Sequence, residues 1–236
     1  MKKLLFIFAL LGNIICLAQE KQDMEKINEL LAGMSTTVQN EYTFPVLVDM
    51  TMINYEKGKA HKPTQTTILI NNEKQLFATK MNDDKAGSML MVVDQGNDNI
   101  VMLNEKHKTA MAININAFMA TNNYMPKGEQ PDVDCKKTGK IKTIAGYVCE
   151  EYICTYSERN GRYEIYVTDK VKFDFGKNEG RSNPFAEYFN KASSLGGMMM
   201  EGKFYENDEL QASVAVNSVN TRANYKINTK GYKRGM

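Results

Sequence analysis

Sixteen of the 236 residues are methionine, and their spacing is the first pattern with chemical content. Met50 and Met52, Met89 and Met91, and Met198 and Met200 are pairs two residues apart. On a β-strand that separation puts both side chains on one face. Met102 and Met111 fall in neighbouring strand-like runs. Thioethers are flexible and polarisable, so such faces suit an irregular core, or the wall of a deformable cavity for an acyl or sterol-like ligand. Thioether sulfur is also a soft ligand for copper(I). Copper sites, however, usually carry histidine or Met-x-Met repeats in polar loops, and these methionines stand among Leu, Ile and Val.

The other reactive side chains are few. Of four cysteines, Cys16 lies in an apolar N-terminal run, leaving Cys135, Cys149 and Cys154. Cys149 and Cys154 are five apart in one strand-like run and point to opposite faces, so they should not bond to each other. Cys135 can pair with either, provided the hairpin register brings the Cα atoms within about 7 Å. His61 and His107 are flanked by lysines in polar stretches, where an approaching metal cation would be repelled. The acidic turns Asp94–Asn99 and Asp132–Asp134 lack the twelve-residue spacing and closing Glu of a calcium loop. Gly-x-Ser-x-Gly, His-Glu-x-x-His, Ser-x-x-Lys, Gly-x-Gly-x-x-Gly and phosphate-loop motifs are all missing. With two loop histidines, the general-base repertoire is thin. The sequence therefore points to neither an enzyme nor a cofactor or metal site.

The N-terminus reads as an address. Lys2 and Lys3 precede an unbroken apolar run, Leu4–Leu11, and Cys16-Leu17-Ala18 supplies small or neutral residues before Gln19. That is the layout of a secretory signal cleaved after Ala18. The apolar stretch from Leu4 to Ala18 contains Asn13 and is shorter than the roughly 20 residues a span requires. Ile15 before Cys16 departs from the small residue of a lipoprotein signal. Cleavage would remove two lysines and no acids, leaving 28 basic against 28 acidic residues. Without a basic surplus, nucleic acid is not an expected partner. The remainder, 19–236, is long enough for one substantial core, and no transmembrane span is expected after processing.

Period and turn chemistry give the elements. Residues 22–33 read as a helix, with Met24, Ile27, Leu30 and Leu31 on one face and Gly33 to end it. From Tyr42 the period becomes two, and short strand-like runs follow at 64–71, 75–81, 88–94, 99–103, 109–114, 133–140, 141–157, 162–168, 198–206, 210–220 and 223–232. Polar turns join them, Asn160-Gly161 being the strongest hairpin signal. Even spacing without intervening helices predicts an antiparallel meander. A second helix is expected over 184–191, capped by Asn183, with Phe185, Tyr188 and Phe189 on one face.

One segment carries a resemblance. Residues 138–152, Thr-Gly-Lys-Ile-Lys-Thr-Ile-Ala-Gly-Tyr-Val-Cys-Glu-Glu-Tyr, resemble the signature of an uncharacterised domain-of-unknown-function family of exported Gram-negative bacterial proteins. The block Arg162–Lys170 fits the same family, and the likeness is expected over about the last two-thirds of the chain. More distantly, the Ile-Ala-Gly turn and a paired strand ending in Val167-Thr168-Asp169 resemble the periplasmic lipoprotein-carrier superfamily. That resemblance implies a half-open antiparallel barrel capped by helices, with an apolar cavity for acyl chains. It implies no catalytic residues.

The expectation is thus a mainly β domain: an antiparallel curved sheet or half-barrel of roughly ten strands, with two or three packed helices. Its expected function is non-enzymatic binding of a lipid, acyl chain or lipoprotein in the periplasm or outer envelope. The expected lining is Met50, Met52, Met89, Met91, Met111, Met198 and Met200, with Phe185, Tyr188 and Phe189 flanking the opening. The alternative is a structural or interaction module of the envelope without a cavity.

Overall fold

The computed structural model describes residues 34–35, 37–83, 87–115, 117, 133–156, 160–172, 195 and 197–234. The fold begins at its centre, with β3 (Val46–Glu56), the eleven-residue run VLVDMTMINYE. Its alternation of branched and polar residues suits a pleated, half-buried surface. On one side β3 pairs antiparallel with β5 (Thr64–Asn71), which opens a meander through β6 (Leu76–Asp83), β7 (Gly87–Asp94), β8 (Asn99–Asn104) and β9 (Thr109–Asn114). On its other side β3 pairs with β14 (Glu209–Asn220). From β14 the sheet continues outward through β13 (Met198–Glu206), β12 (Gly161–Thr168), β11 (Tyr147–Tyr156) and β10 (Val133–Ile144).

Smaller strands complete it. β1 (Met34–Ser35) lies outside β9, β16 (Lys233–Arg234) pairs parallel with β9, and β4 (Lys59–Ala60) folds back on β3. These fourteen strands form one sheet that does not close, since β1 and β10 stand at opposite ends of the order. β2 (Glu41–Phe44) and β15 (Tyr225–Asn228) form a separate two-stranded sheet.

The described residues hold sixteen strands against the roughly ten expected, five of them short: β1, β4 and β16 have two residues, β2 and β15 four. Such pieces are too short to show a period in the sequence. A second difference lies at 133–144, which is one strand rather than the end of one and the start of another. The chain turns later, at Ala145-Gly146, where φ values of 48° and 85° supply the mirror-image turn a two-residue hairpin needs. Gly139, at φ 85°, absorbs a register shift between Lys137 and Ile141 within the strand. Helical geometry among the described residues is confined to a 3₁₀ turn, Gln95–Asn97, and to residues 115 and 117. Packed helices are therefore not part of the described fold. The helices expected over 22–33 and 184–191 lie outside the described residues.

Burial explains the two textures of the sequence. Ile68, Leu69 and Ile70 of β5 are all buried, as are Leu90, Met91, Val92 and Val93 of β7. Continuous apolar runs of this kind mark strands covered on both faces. One face of the β5–β9 meander joins a cluster containing Val48, Met50, Ile68, Phe77, Met91 and Ile113. The opposite face, with Leu69, Leu90 and Val101, packs under Tyr42, Phe44 and Ile227 of the β2–β15 pair. A third cluster holds Cys154, Ile165, Val167, Met199 and Phe204 in the β11–β13 region. No helix among the described residues is long and apolar enough to cross a membrane.

Candidate functional site

The register of the sheet decides where the methionines stand. Residues directly opposite in an antiparallel pair share a face, with Cβ atoms about 4.5–5.5 Å apart. Met52 faces Val214 and Met50 faces Val216 across the central seam. Met50 also faces Thr66, which faces Met81, which faces Met89. One row over, Thr79 faces Met91, Met91 faces Met102, and Met102 faces Met111. Seven methionines from five strands therefore lie on one face. Met50 and Met91 are buried, while Met52, Met81, Met89, Met102 and Met111 are half-buried.

Met198 and Met200 are fully buried and belong to the same core cluster as Met50 and Met91. A register shift in the β12–β13 pairing falls beside Met200, between the Tyr166–Glu201 and Val167–Met199 pairs. Gly197 precedes them, and a Cβ built there would stand 1.8 Å from the Thr168 carbonyl oxygen, so only glycine fits. Phe185, Tyr188 and Phe189 lie outside the described residues. Met81 and Met102 extend the row beyond the expected lining, and the period-two run Phe77, Thr79, Met81 was the signal that places Met81 there.

The face opposite Met50 is polar. Asp49 accepts hydrogen bonds from Thr67 Oγ1 at 2.7 Å and Ser218 Oγ at 2.9 Å. Asn217 Nδ2 donates to Thr51 Oγ1 at 2.9 Å. The central seam thus has one apolar and one hydrophilic side.

The cysteines separate cleanly. Cys135 of β10 and Cys154 of β11 are direct cross-strand partners joined by a disulfide, with Cα atoms 4.0 Å apart. Cys149 is a buried free thiol whose Sγ donates to the Tyr147 carbonyl at 3.3 Å. Burial pushes that thiol's pKa up, away from the thiolate a nucleophile needs.

A polar cluster not foreseen from the sequence lies on β10–β13. Glu151 is 6% exposed, yet three donors meet its carboxylate. Its Oε2 accepts from Thr138 Oγ1 at 2.7 Å and meets Lys140 Nζ at 3.1 Å, while its Oε1 accepts from Tyr166 OH at 2.8 Å. The Thr138 hydrogen bond, helped by Tyr166 and Lys140 against the pull of burial, holds the Glu151 carboxyl below the usual carboxylate range. The same Tyr166–Glu151 bond, with burial and the nearby acids, pushes the Tyr166 phenol up to about 12. Lys142 Nζ lies 5.4 Å over the Tyr166 ring and 2.5 Å from Glu201. Every charge here is answered, which makes the cluster a clamp rather than a reactive centre.

His61 is largely exposed, 3.5 Å from Glu56. His107 sits in the exposed turn between β8 and β9. The Asp94 carboxylate accepts from Gln39 Nε2 at 2.7 Å and Asn97 Nδ2 at 2.9 Å. Among the described residues no group of three or more His, Cys, Asp or Glu could hold a metal ion.

The model of a family described as a domain of unknown function, DUF4412, matches residues 44–178. The chain belongs to that family. The DUF4412 match begins at the last residue of β2, spans β3–β12, and contains the 138–152 segment and Glu151 with its partners Thr138, Lys140 and Tyr166, though not Glu201. It runs over the first and middle parts of the chain rather than its last two-thirds. No curated protein matches the sequence. Among solved structures the chain is similar to PNGF-II in its C2 crystal form, at 12% identity and a TM-score of 0.38 over 80% of this chain and 30% of that one. It is also similar to MucB in complex with MucA(peri), at 9% identity and a TM-score of 0.40 over 83% of this chain and 54% of that one. The chain spans only about a third to a half of the length of these structures.

Proposed function

We propose that this DUF4412 protein is exported and acts as a non-enzymatic binder of an apolar ligand, an acyl chain or a lipidated partner, held against the methionine-rich face. The observation that carries the reading is the exposure pattern of that face. Met52, Met81, Met89, Met102 and Met111 share one side of the sheet and are only partly buried, so at the margin of the core they leave an adaptable apolar surface. The open fourteen-strand sheet is read as a half-barrel with this face inward. Export rests on the N-terminal charge and apolar pattern, with processing after Ala18.

A second reading has its own support. Ile141 and Val148 are 67% and 57% exposed on the β10–β11 hairpin at the sheet's edge, the place where an interaction module would present a surface.

The test uses the mature chain from the envelope fraction, whose first residue should be Gln19, and a fluorescent fatty acid. Met52→Asp and Met102→Asp each place a charge at a half-buried position and should abolish uptake while leaving the melting transition cooperative. Ile141→Asp should leave uptake intact. No uptake by the wild-type chain, or equal uptake by the charged variants, sinks the carrier reading and favours the edge module.

A further inference from the structure

The row Met91–Met102–Met111 holds three thioethers on three adjacent strands, each pair in direct cross-strand register. Met102 stands in the middle, with a neutral sulfur ligand on either side and Cβ separations of about 5 Å to each neighbour. The sulfur lies two bonds beyond Cβ on an unbranched, freely rotating stem, so the outer two can lean toward the central one. Met91 is buried, whereas Met102 and Met111 are half-buried, which leaves the row open to solvent from one side. Both half-buried members pack against the cluster that contains Met91.

The surroundings select among cations. Beyond Met91 the row continues through Thr79, Ile68, Val48 and Val219, none of them charged. The cross-strand positions two residues to either side carry no acid, and they include Met81 and Met89. Without carboxylate or imidazole, the row offers nothing to calcium, magnesium or zinc. Thioether sulfur suits a soft monovalent ion, for which neutral ligands suffice.

We propose that Met91, Met102 and Met111 form a binding site for a soft monovalent cation of the copper(I) class, with Met89 available as a fourth donor. The ion binds as the monovalent species and no electron is transferred. The site shares its face with the proposed apolar ligand but stands independently of that reading, because it depends on sulfur and not on apolarity.

That distinction supplies the experiment. Leucine conserves volume and apolarity while removing the sulfur. The mature chain carrying Cys149→Ala, which removes the free thiol, is titrated with silver(I) as a redox-inert probe. It is then titrated with copper(I) in competition with a chromophoric chelator. The parent should bind one ion per chain, with the methyl resonances of Met91, Met102 and Met111 shifting together. The variant M91L/M102L/M111L should lose affinity by about tenfold or more while keeping a cooperative melting transition in the absence of metal. If the triple variant does not fold, Met102→Leu alone removes the central ligand and should produce the same direction of change. Absence of binding by the parent overturns the site, as does equal affinity in the leucine variants. Loss of fatty-acid uptake in the parent would count against the carrier reading alone.

Discussion

Glu151 illustrates how this sheet tolerates a buried charge. An isolated carboxylate at 6% exposure would be costly, but Thr138, Tyr166 and Lys140 each direct a donor at it. The consequence for pH follows from the sign of the shift. The folded-state pKa lies below the unfolded value, so the clamp stabilises the fold above the ordinary carboxylate range and is lost as pH falls through the depressed folded value. Tyr166 has the opposite sign, and its contribution is present below pH 10.0 and lost as pH rises toward about 12. Glu151→Gln should therefore lower the melting temperature at neutral pH and flatten its fall on the acid side. Thermal melts between pH 3 and 7 check this, and parallel curves for variant and wild type would show that the clamp contributes nothing.

Among the elements, the β10–β11 hairpin is held in the most ways. Its turn uses Ala145 in a left-handed conformation, a choice that costs about 1–2 kcal/mol for a residue with a Cβ. Its strands are tied by the Cys135–Cys154 disulfide and by Lys137–Glu150 at 2.6 Å. Such reinforcement suits a terminal strand, since β10 has a partner on one side only in the described sheet. The disulfide closes a sequence separation of 19, which corresponds to about 3 kcal/mol of stability. Replacing both cysteines by alanine should lower the denaturation midpoint accordingly, and adding reductant to the wild-type chain should reproduce the change. An unaltered midpoint in both experiments would mean that the hairpin is fixed by pairing alone.

On the scale of the whole molecule, the seam between β3 and β14 joins two meanders distant in sequence. The DUF4412 match ends at residue 178, before β13 and β14, so the partner of the central strand lies outside it. A chain ending at 178 would expose β3 along one edge and β12 along another, together with Met50 and its apolar neighbours. Unpaired central edges of that kind template aggregation. Residues 19–178 expressed alone should be insoluble or associate, whereas 19–236 should give a single cooperative transition. Analytical ultracentrifugation reads the difference, and a monomeric, cooperatively folding shorter chain would show that the matched region is self-sufficient.

Much of this was determined by the sequence itself. Period-two alternation, evenly spaced polar turns and scarce helical pattern dictate an antiparallel β protein, because side chains on a pleated strand alternate faces whatever surrounds them. The opposed faces of Cys149 and Cys154 follow from the same rule, and so do the pairings within each methionine couple. What the tertiary structure alone decided is everything that depends on register between strands. Only pairing brings Met91, Met102 and Met111 into one row, selects Cys154 over Cys149 as the partner of Cys135, and sets Glu151 among three donors. The β3–β14 seam is the extreme case. Its partners lie more than 150 residues apart, and no local pattern specifies which distant strand completes a central edge. Local periodicity is written into each segment, but register and neighbour order arise from the simultaneous burial of all the faces, a property of the folded chain as a whole.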